Sequence, residues 1–119
     1  MTTEYVAVGE GLTVQDGFHA LEAFEGDLES ITELFVVNAE GHLKAIIPLS
    51  RLVLAQAERP LGELQADHMA SASLAANGRK VAELFDKYNL RSLPVLDEHK
   101  RLAGVIRPEH VIAWLRASK

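Results

Sequence analysis

The second half of this chain repeats the first, and that duplication limits what it can fold into more than any other feature. Leu34-Phe35-Val36-Val37-Asn38 through Ile46-Ile47 reads like Leu93-Pro94-Val95-Leu96-Asp97 through Val105-Ile106 without a gap, with Leu43 and Leu102 lying 59 positions apart. The same spacing pairs Leu52-Val53 with Val111-Ile112. A unit of this size buries its own core poorly, so two copies are expected to pack together. The repeats are taken as residues 1–59 and 60–119, within one compact domain. A seam between two similar halves is a natural ligand pocket, which points to a binding or sensing module before an enzyme.

Composition removes several alternatives. A hydrophobic fraction of 48% is ample for a core, so disorder is expected only near Met1–Thr3 and Ala117–Lys119. Net charge is −5, and only Arg79-Lys80 and Lys100-Arg101 are adjacent basic residues, which disfavours a nucleic-acid polymer as partner. The chain has no cysteine, excluding disulfides, thiolate metal sites and a cysteine nucleophile, and this fits a reducing compartment. No apolar run approaches the roughly 20 residues of a membrane span, so no direct membrane insertion is expected. Met1-Thr2-Thr3-Glu4 lacks the basic and apolar segments of a signal peptide. A cytoplasmic location follows as the expectation.

Periodicity then assigns elements. Tyr5–Val8 reads as a strand, and Thr13 as the N-cap of a helix with Asp16 at capping-box spacing and Val14, Phe18 and Leu21 on its apolar stripe. Glu25-Gly26-Asp27 ends that helix. Ile31–Val37 and Leu43–Ile47 form a hairpin across Asn38–Gly41, and Pro48 opens a helix with Leu49, Leu52 and Val53 on its apolar face. Glu58–Gly62 links the halves. Met69–Ser73 reads as the next strand. Asn77 caps a helix with Val81, Leu84, Phe85 and Tyr88 on one face. Leu93–Leu96 and Leu102–Ile106 form a second hairpin, and Pro108 opens a last helix with Val111, Ile112 and Leu115 inward. Each half reads β-α-β-β-α. A helix between the first two strands permits parallel pairing there and the hairpin is antiparallel, so the fold class is α/β with mixed sheets and two pseudo-symmetric repeats.

Leu93-Pro94-Val95-Leu96-Asp97, the charged turn, Arg101-Leu102-Ala103-Gly104-Val105-Ile106 and the helix from Pro108 resemble a cystathionine-β-synthase (CBS) domain, with the first half as a weaker second copy. A tandem pair of such domains is a Bateman module. Met1-Thr2-Thr3-Glu4-Tyr5-Val6-Ala7-Val8, Phe35-Val36-Val37-Asn38 with Gly41, and Pro48-Leu49-Ser50-Arg51-Leu52 are similar to the CBS region of the bacterial MgtE magnesium channel family. The resemblance implies an excised cytoplasmic regulatory piece that acts on an attached transporter domain and forms a flat homodimer. A two-fold interface is self-complementary, so Leu52, Val53, Val111, Ile112 and Leu115 would meet their own copies. Trp114 is read as core or dimer contact.

Nucleotide-binding members of the CBS family often end the repeat with Gly-apolar-apolar-Thr/Ser-x-x-Asp, where hydroxyl and helix N-terminus hold phosphate and the Asp accepts from ribose. This chain keeps Gly104-Val105-Ile106 but has Arg107 at the hydroxyl and His110 at the acid position; the first repeat has Ala45, Pro48 and Arg51. The ribose-binding carboxylate is missing from both copies, while Arg107 and Arg51 retain forked donors suited to phosphate oxygens. The candidate adenine-nucleotide residues are Ser71, Pro94, Gly104, Arg107 and His110. The bland alternative places both arginines on exposed first turns.

In the MgtE family, the resemblance implies, magnesium bridges acidic surfaces between domains and subunits. Glu22, Glu25, Asp27, Glu29 and Glu33 crowd one stretch here, and Glu25, Asp27 and Glu29 are the candidate Mg²⁺ ligands, against a solvated helix end as the alternative. None of His19, His42, His68, His99 and His110 shows zinc-helix pairing; His68 is the one placed near the seam. Ser71 and Ser73 alternate with alanines and leave room for a ligand or for close packing. No Ser-His-Asp set, P-loop or paired-carboxylate motif is present. The sequence therefore reads as a non-enzymatic regulatory module, with a ligand-free structural module or an adenine-nucleotide regulator as the alternatives.

Overall fold

A computed structural model describes residues 1–66 and 69–117. The elements are β1 (Val6–Gly9), α1 (Val14–Glu22), β2 (Glu33–Val37), β3 (Leu43–Pro48), α2 (Leu49–Leu52), β4 (Ala72–Ser73), α3 (Gly78–Tyr88), β5 (Leu93–Leu96), β6 (Leu102–Ile106) and α4 (Pro108–Ala117). They form two mixed three-stranded sheets, ordered β1-β2-β3 and β4-β5-β6, each with one parallel and one antiparallel pairing. The class is α/β, as the order of elements implies. Two compact units result: Glu4–Met69, and Ala70–Lys119 together with Met1–Thr3.

The duplication extends to hydrogen-bond register. Leu34↔Ile47, Phe35↔Ile46, Val36↔Ala45 and Val37↔Leu43 in the first hairpin become Leu93↔Ile106, Pro94↔Val105, Val95↔Gly104 and Leu96↔Leu102 in the second, each 59 positions on, with the same bulge. The turns match as well. Asn38 Oδ1 accepts the backbone N–H groups of Glu40 (3.0 Å) and His42 (2.9 Å), and Asp97 Oδ1 accepts those of His99 (2.8 Å) and Arg101 (2.9 Å). These Asx turns give the loop backbone the partners it lacks outside the ladder. The Arg101 N–H, then that of His99 and the Arg101 guanidinium, hold the Asp97 carboxyl below the usual carboxylate range against some desolvation.

Before the hairpins the spacing differs. The N-caps Thr13 and Asn77 are 64 positions apart, so the first repeat carries five extra residues between N-cap and hairpin. They fall in the connection that contains the 3₁₀ turn Leu28–Ser30. Both caps form as their sequences imply: Thr13 and Asp16 make a capping box, and Asn77 Oδ1 accepts the Lys80 N–H at 2.8 Å.

The first unit buries Val6, Val8, Val14, Leu34, Val36, Ile47 and Leu52 in one core, and Leu61 and Leu64 join it from the 3₁₀ turn Leu61–Leu64. Residues after 60, assigned by sequence to the second repeat, thus pack in the first unit, which runs to Met69. The second core gathers Ala72, Val81, Leu93, Val95, Ile106 and Val111.

Several expectations are corrected. The strand expected over Met69–Ser73 is only Ala72–Ser73. In the first sheet β1 pairs with Phe35, but the equivalent Pro94 has no N–H to offer β4, so pairing starts at Val95. Pro48 ends β3 and caps α2 as expected, but α2 is a single turn that leaves Val53 64% exposed. On α4 only Val111 is buried; Ile112 and Leu115 are 55% and 49% exposed, not inward. Leu52 and Val111 are buried in their own units, which removes them from any dimer surface.

Gly41 and Lys100 occupy equivalent turn positions with φ of +87° and +65°. Lysine is strained in that region and glycine is not. Lys100→Gly is therefore expected to stabilise the second unit by about 0.5–1 kcal/mol, and Gly41→Ala to destabilise the first by about 1 kcal/mol or more. Chemical-denaturation midpoints check both.

Candidate functional site

The candidate nucleotide residues lie in the second unit, where β6 runs into α4. Pro94 and Gly104 are buried on the neighbouring strands β5 and β6, and Ser71 is exposed, one residue before β4 pairs with Val95. Arg107 and His110 follow at the first turn of α4, both half-buried. The Arg107 backbone N–H donates to His110 Nδ1 at 3.0 Å, and the His110 N–H donates to the Arg107 carbonyl at 3.0 Å. His110 thus closes the helix start as a capping-box glutamate would. This use of Nδ1 fixes the neutral tautomer with its proton on Nε2.

At the two motif positions the side chains present donors, His110 Nε2–H and the Arg107 guanidinium, where a ribose diol needs acceptors. The ribose diol therefore finds no acceptor side chain at those two positions. The first repeat offers no better match. Arg51, on the turn after β3, donates to the Gln65 carbonyl.

Gly104 has an occupant. A Cβ there would stand 2.8 Å from Met1 Sδ and 2.9 Å from the Thr2 carbonyl oxygen, so the missing side chain admits the N-terminal segment. Thr2 forms an antiparallel bridge with Val105. No sequence signal marks this contact, because its partners lie at opposite ends of the chain.

The acidic candidates stay apart as a cluster. Glu25, Asp27 and Glu29 are exposed, and Asp27 Oδ1 is committed to the Glu29 backbone N–H at 3.1 Å, capping the 3₁₀ turn. Among the described residues, no three His, Asp or Glu side chains converge on a metal position. His68 lies outside the described residues. The second unit also carries an open groove of about 720 Å³ lined by Ala76, Gly78, Arg79, Trp114 and Leu115. A second groove, of about 570 Å³, is lined by Ser73, Leu74, Ala75, Asp97, Glu98 and Lys100. Neither is lined by Arg107 or His110.

Burial lowers the His110 pKa below its ordinary 6.5; the Met1 amino charge and Arg107 push the same way, and Glu109 opposes them. Protonation would also break the Nδ1 acceptor contact. A group whose folded pKa is depressed binds protons more readily when unfolded, so its contribution is complete above 6.5 and is lost as pH falls through the depressed value. Thermal melts from pH 7.5 to 5 should show this loss, and His110→Gln, which keeps an acceptor without titrating, should flatten it.

Comparison with known proteins fits this geometry. Residues 63–117 match the CBS domain model. The magnesium transporter MgtE of Thermus thermophilus is 33% identical over 117 residues, covering 98% of this chain and 26% of that protein. The Bacillus subtilis magnesium transporter MgtE is 29% identical over 112 residues, covering 94% and 25%. The chain thus spans about a quarter of the length of these relatives. Among solved structures, the cytosolic domain of the Mg²⁺ channel MgtE in complex with ATP superposes with a TM-score of 0.89 at 32% identity, over 96% of this chain and 46% of that one. No described helix is long and apolar enough to cross a membrane. Two hairpins of one register, the same capped-helix order in each unit and similarity along nearly the whole chain identify it as a tandem CBS domain pair that resembles the CBS region of the MgtE magnesium transporters.

Proposed function

We propose that this chain is the regulatory CBS pair of a divalent-cation transporter-like protein, lying on the cytoplasmic side and controlling an attached domain through ligand occupancy and dimerisation. The supporting observation is the 33% identity with a magnesium transporter along 98% of the chain. The module is non-enzymatic in this reading: it carries binding energy to a neighbour and transforms nothing. Since the solved MgtE cytosolic domain is a complex with ATP, an adenine nucleotide is the first ligand to test. Arg107 would take its phosphates at the α4 start, beside Ser71, Pro94, Gly104 and His110, and the polyphosphate would contribute more than the ribose. Mg²⁺ is the second ligand, with Glu25, Asp27 and Glu29 as an outward acidic surface that needs carboxylates from a neighbouring domain or subunit to complete its shell.

A ligand that binds only the folded state raises the melting temperature by mass action. ATP is expected to stabilise the chain more than AMP does, and Arg107→Ala to remove most of the difference. A Mg²⁺ shift is expected to weaken when Glu25, Asp27 and Glu29 are changed to Gln, Asn and Gln. A second reading, a structural module without ligand, is favoured by the absence of a ribose carboxylate at Arg51 and His110. Melting curves that no nucleotide or Mg²⁺ displaces at millimolar concentration would select it.

Dimerisation is assigned to the apolar side chains left outside the cores: Ile112, Leu115 and the 38%-exposed Trp114 on α4. A two-fold contact needs each patch to meet only its own copy. Sedimentation equilibrium should report a dimer for the wild type and a monomer for Ile112→Glu combined with Leu115→Glu, with helix content unchanged.

A further inference from the structure

Two short segments attach at equivalent places, one by a pair of backbone hydrogen bonds and the other by a single one. Thr2 and Val105 exchange two backbone hydrogen bonds, each 2.9 Å, on the edge of β6 away from β5. In the first unit the Ala66 N–H donates to the Ile46 carbonyl at 2.7 Å, on the corresponding edge of β3. Ile46 and Val105 are 59 positions apart, the spacing of the hairpins; Thr2 and Ala66 are 64 apart, the spacing of the helix N-caps. The contact was therefore duplicated with the elements that flank it, which marks it as part of the fold and not as a stray terminus.

Connectivity gives the contact its interest. Thr2 leads into β1 of the first unit but pairs in the second, and Ala66 leads into β4 of the second unit but pairs in the first. Each attachment is built for its guest. Gly104 leaves the space that Met1 and Thr2 fill, and Arg51 holds the Gln65 carbonyl next to Ala66. The attachment at Thr2 is also weak, a single residue pair with Met1 50% exposed, and so belongs to the part of a fold that opens first.

We infer that Met1–Thr3 and Gln65–Ala66 are reciprocal edge straps, each completing the sheet of the unit to which its own following strand does not belong, so that a pull on the chain ahead of β1 is read at Gly104–His110. This inference does not depend on which ligand the module takes. Amide exchange followed by NMR on the whole chain tests it. Thr2→Pro removes the strap's donor without touching the second unit's own side chains, and Gly104→Ala closes the space from the other side. Both should speed exchange of the Val105 amide by about tenfold or more, while the β2–β3 amides keep their wild-type rates. A wild-type rate at Val105 in Thr2→Pro overturns the inference, even if Gly104→Ala unfolds the second unit. An Ala66 amide that exchanges as freely as an open loop overturns its reciprocal half.

Discussion

Each unit depends on one antiparallel hairpin whose register cannot slip. Side chains alternate faces along a strand, so a shift of one residue would turn Leu34, Val36 and Ile47, or Leu93, Val95 and Ile106, out of their cores. The Asx turns at Asn38 and Asp97 and the shared bulge hold that register at the loop end. With the hairpin fixed, α1 and α3 return the chain to a parallel edge, and the last strand of each hairpin delivers a helix start at a set place. Arg107 and His110 sit where they do because β6 ends at Ile106.

What could be read from the residues alone was what local chemistry decides. Thr13 and Asn77 cap helices because a short oxygen-bearing side chain precedes an apolar stripe, and both hairpins show as β-rich runs around turn residues. The strength of α3 lies in its spacing. What was not legible depended on partners far along the chain. Pro94 shortens β4 from the neighbouring strand, yet Met69–Ser73 taken alone looks like a longer one. Ile112 and Leu115 carry a core-like pattern that the unit does not use, because a helix of alternating apolar and charged turns does not reveal which apolar residues find a neighbour.

The candidate site divides along the same line. Sequence placed Arg107 and His110 on a first helical turn and noted the lost carboxylate. It could not show that His110 spends Nδ1 on the Arg107 N–H as a helix cap, or that burial at this place favours the uncharged ring. Nor could it show that the family glycine at position 104 serves the N-terminal segment. Fold inheritance is thus complete at the hairpins while the chemistry at the helix start has changed, as expected where function resides in side chains placed on a retained scaffold.

The five extra residues between the first N-cap and its hairpin carry a practical meaning. The same scaffold, present twice in one chain, tolerates a short connection after α3 and a longer one after α1 with no change in strand register. Lengthening a surface loop costs little closure entropy once the flanking elements are packed. The exposed Arg91, in the short connection after α3, is thus a natural port for a spectroscopic label or a grafted peptide, with the sister repeat serving as the engineering precedent.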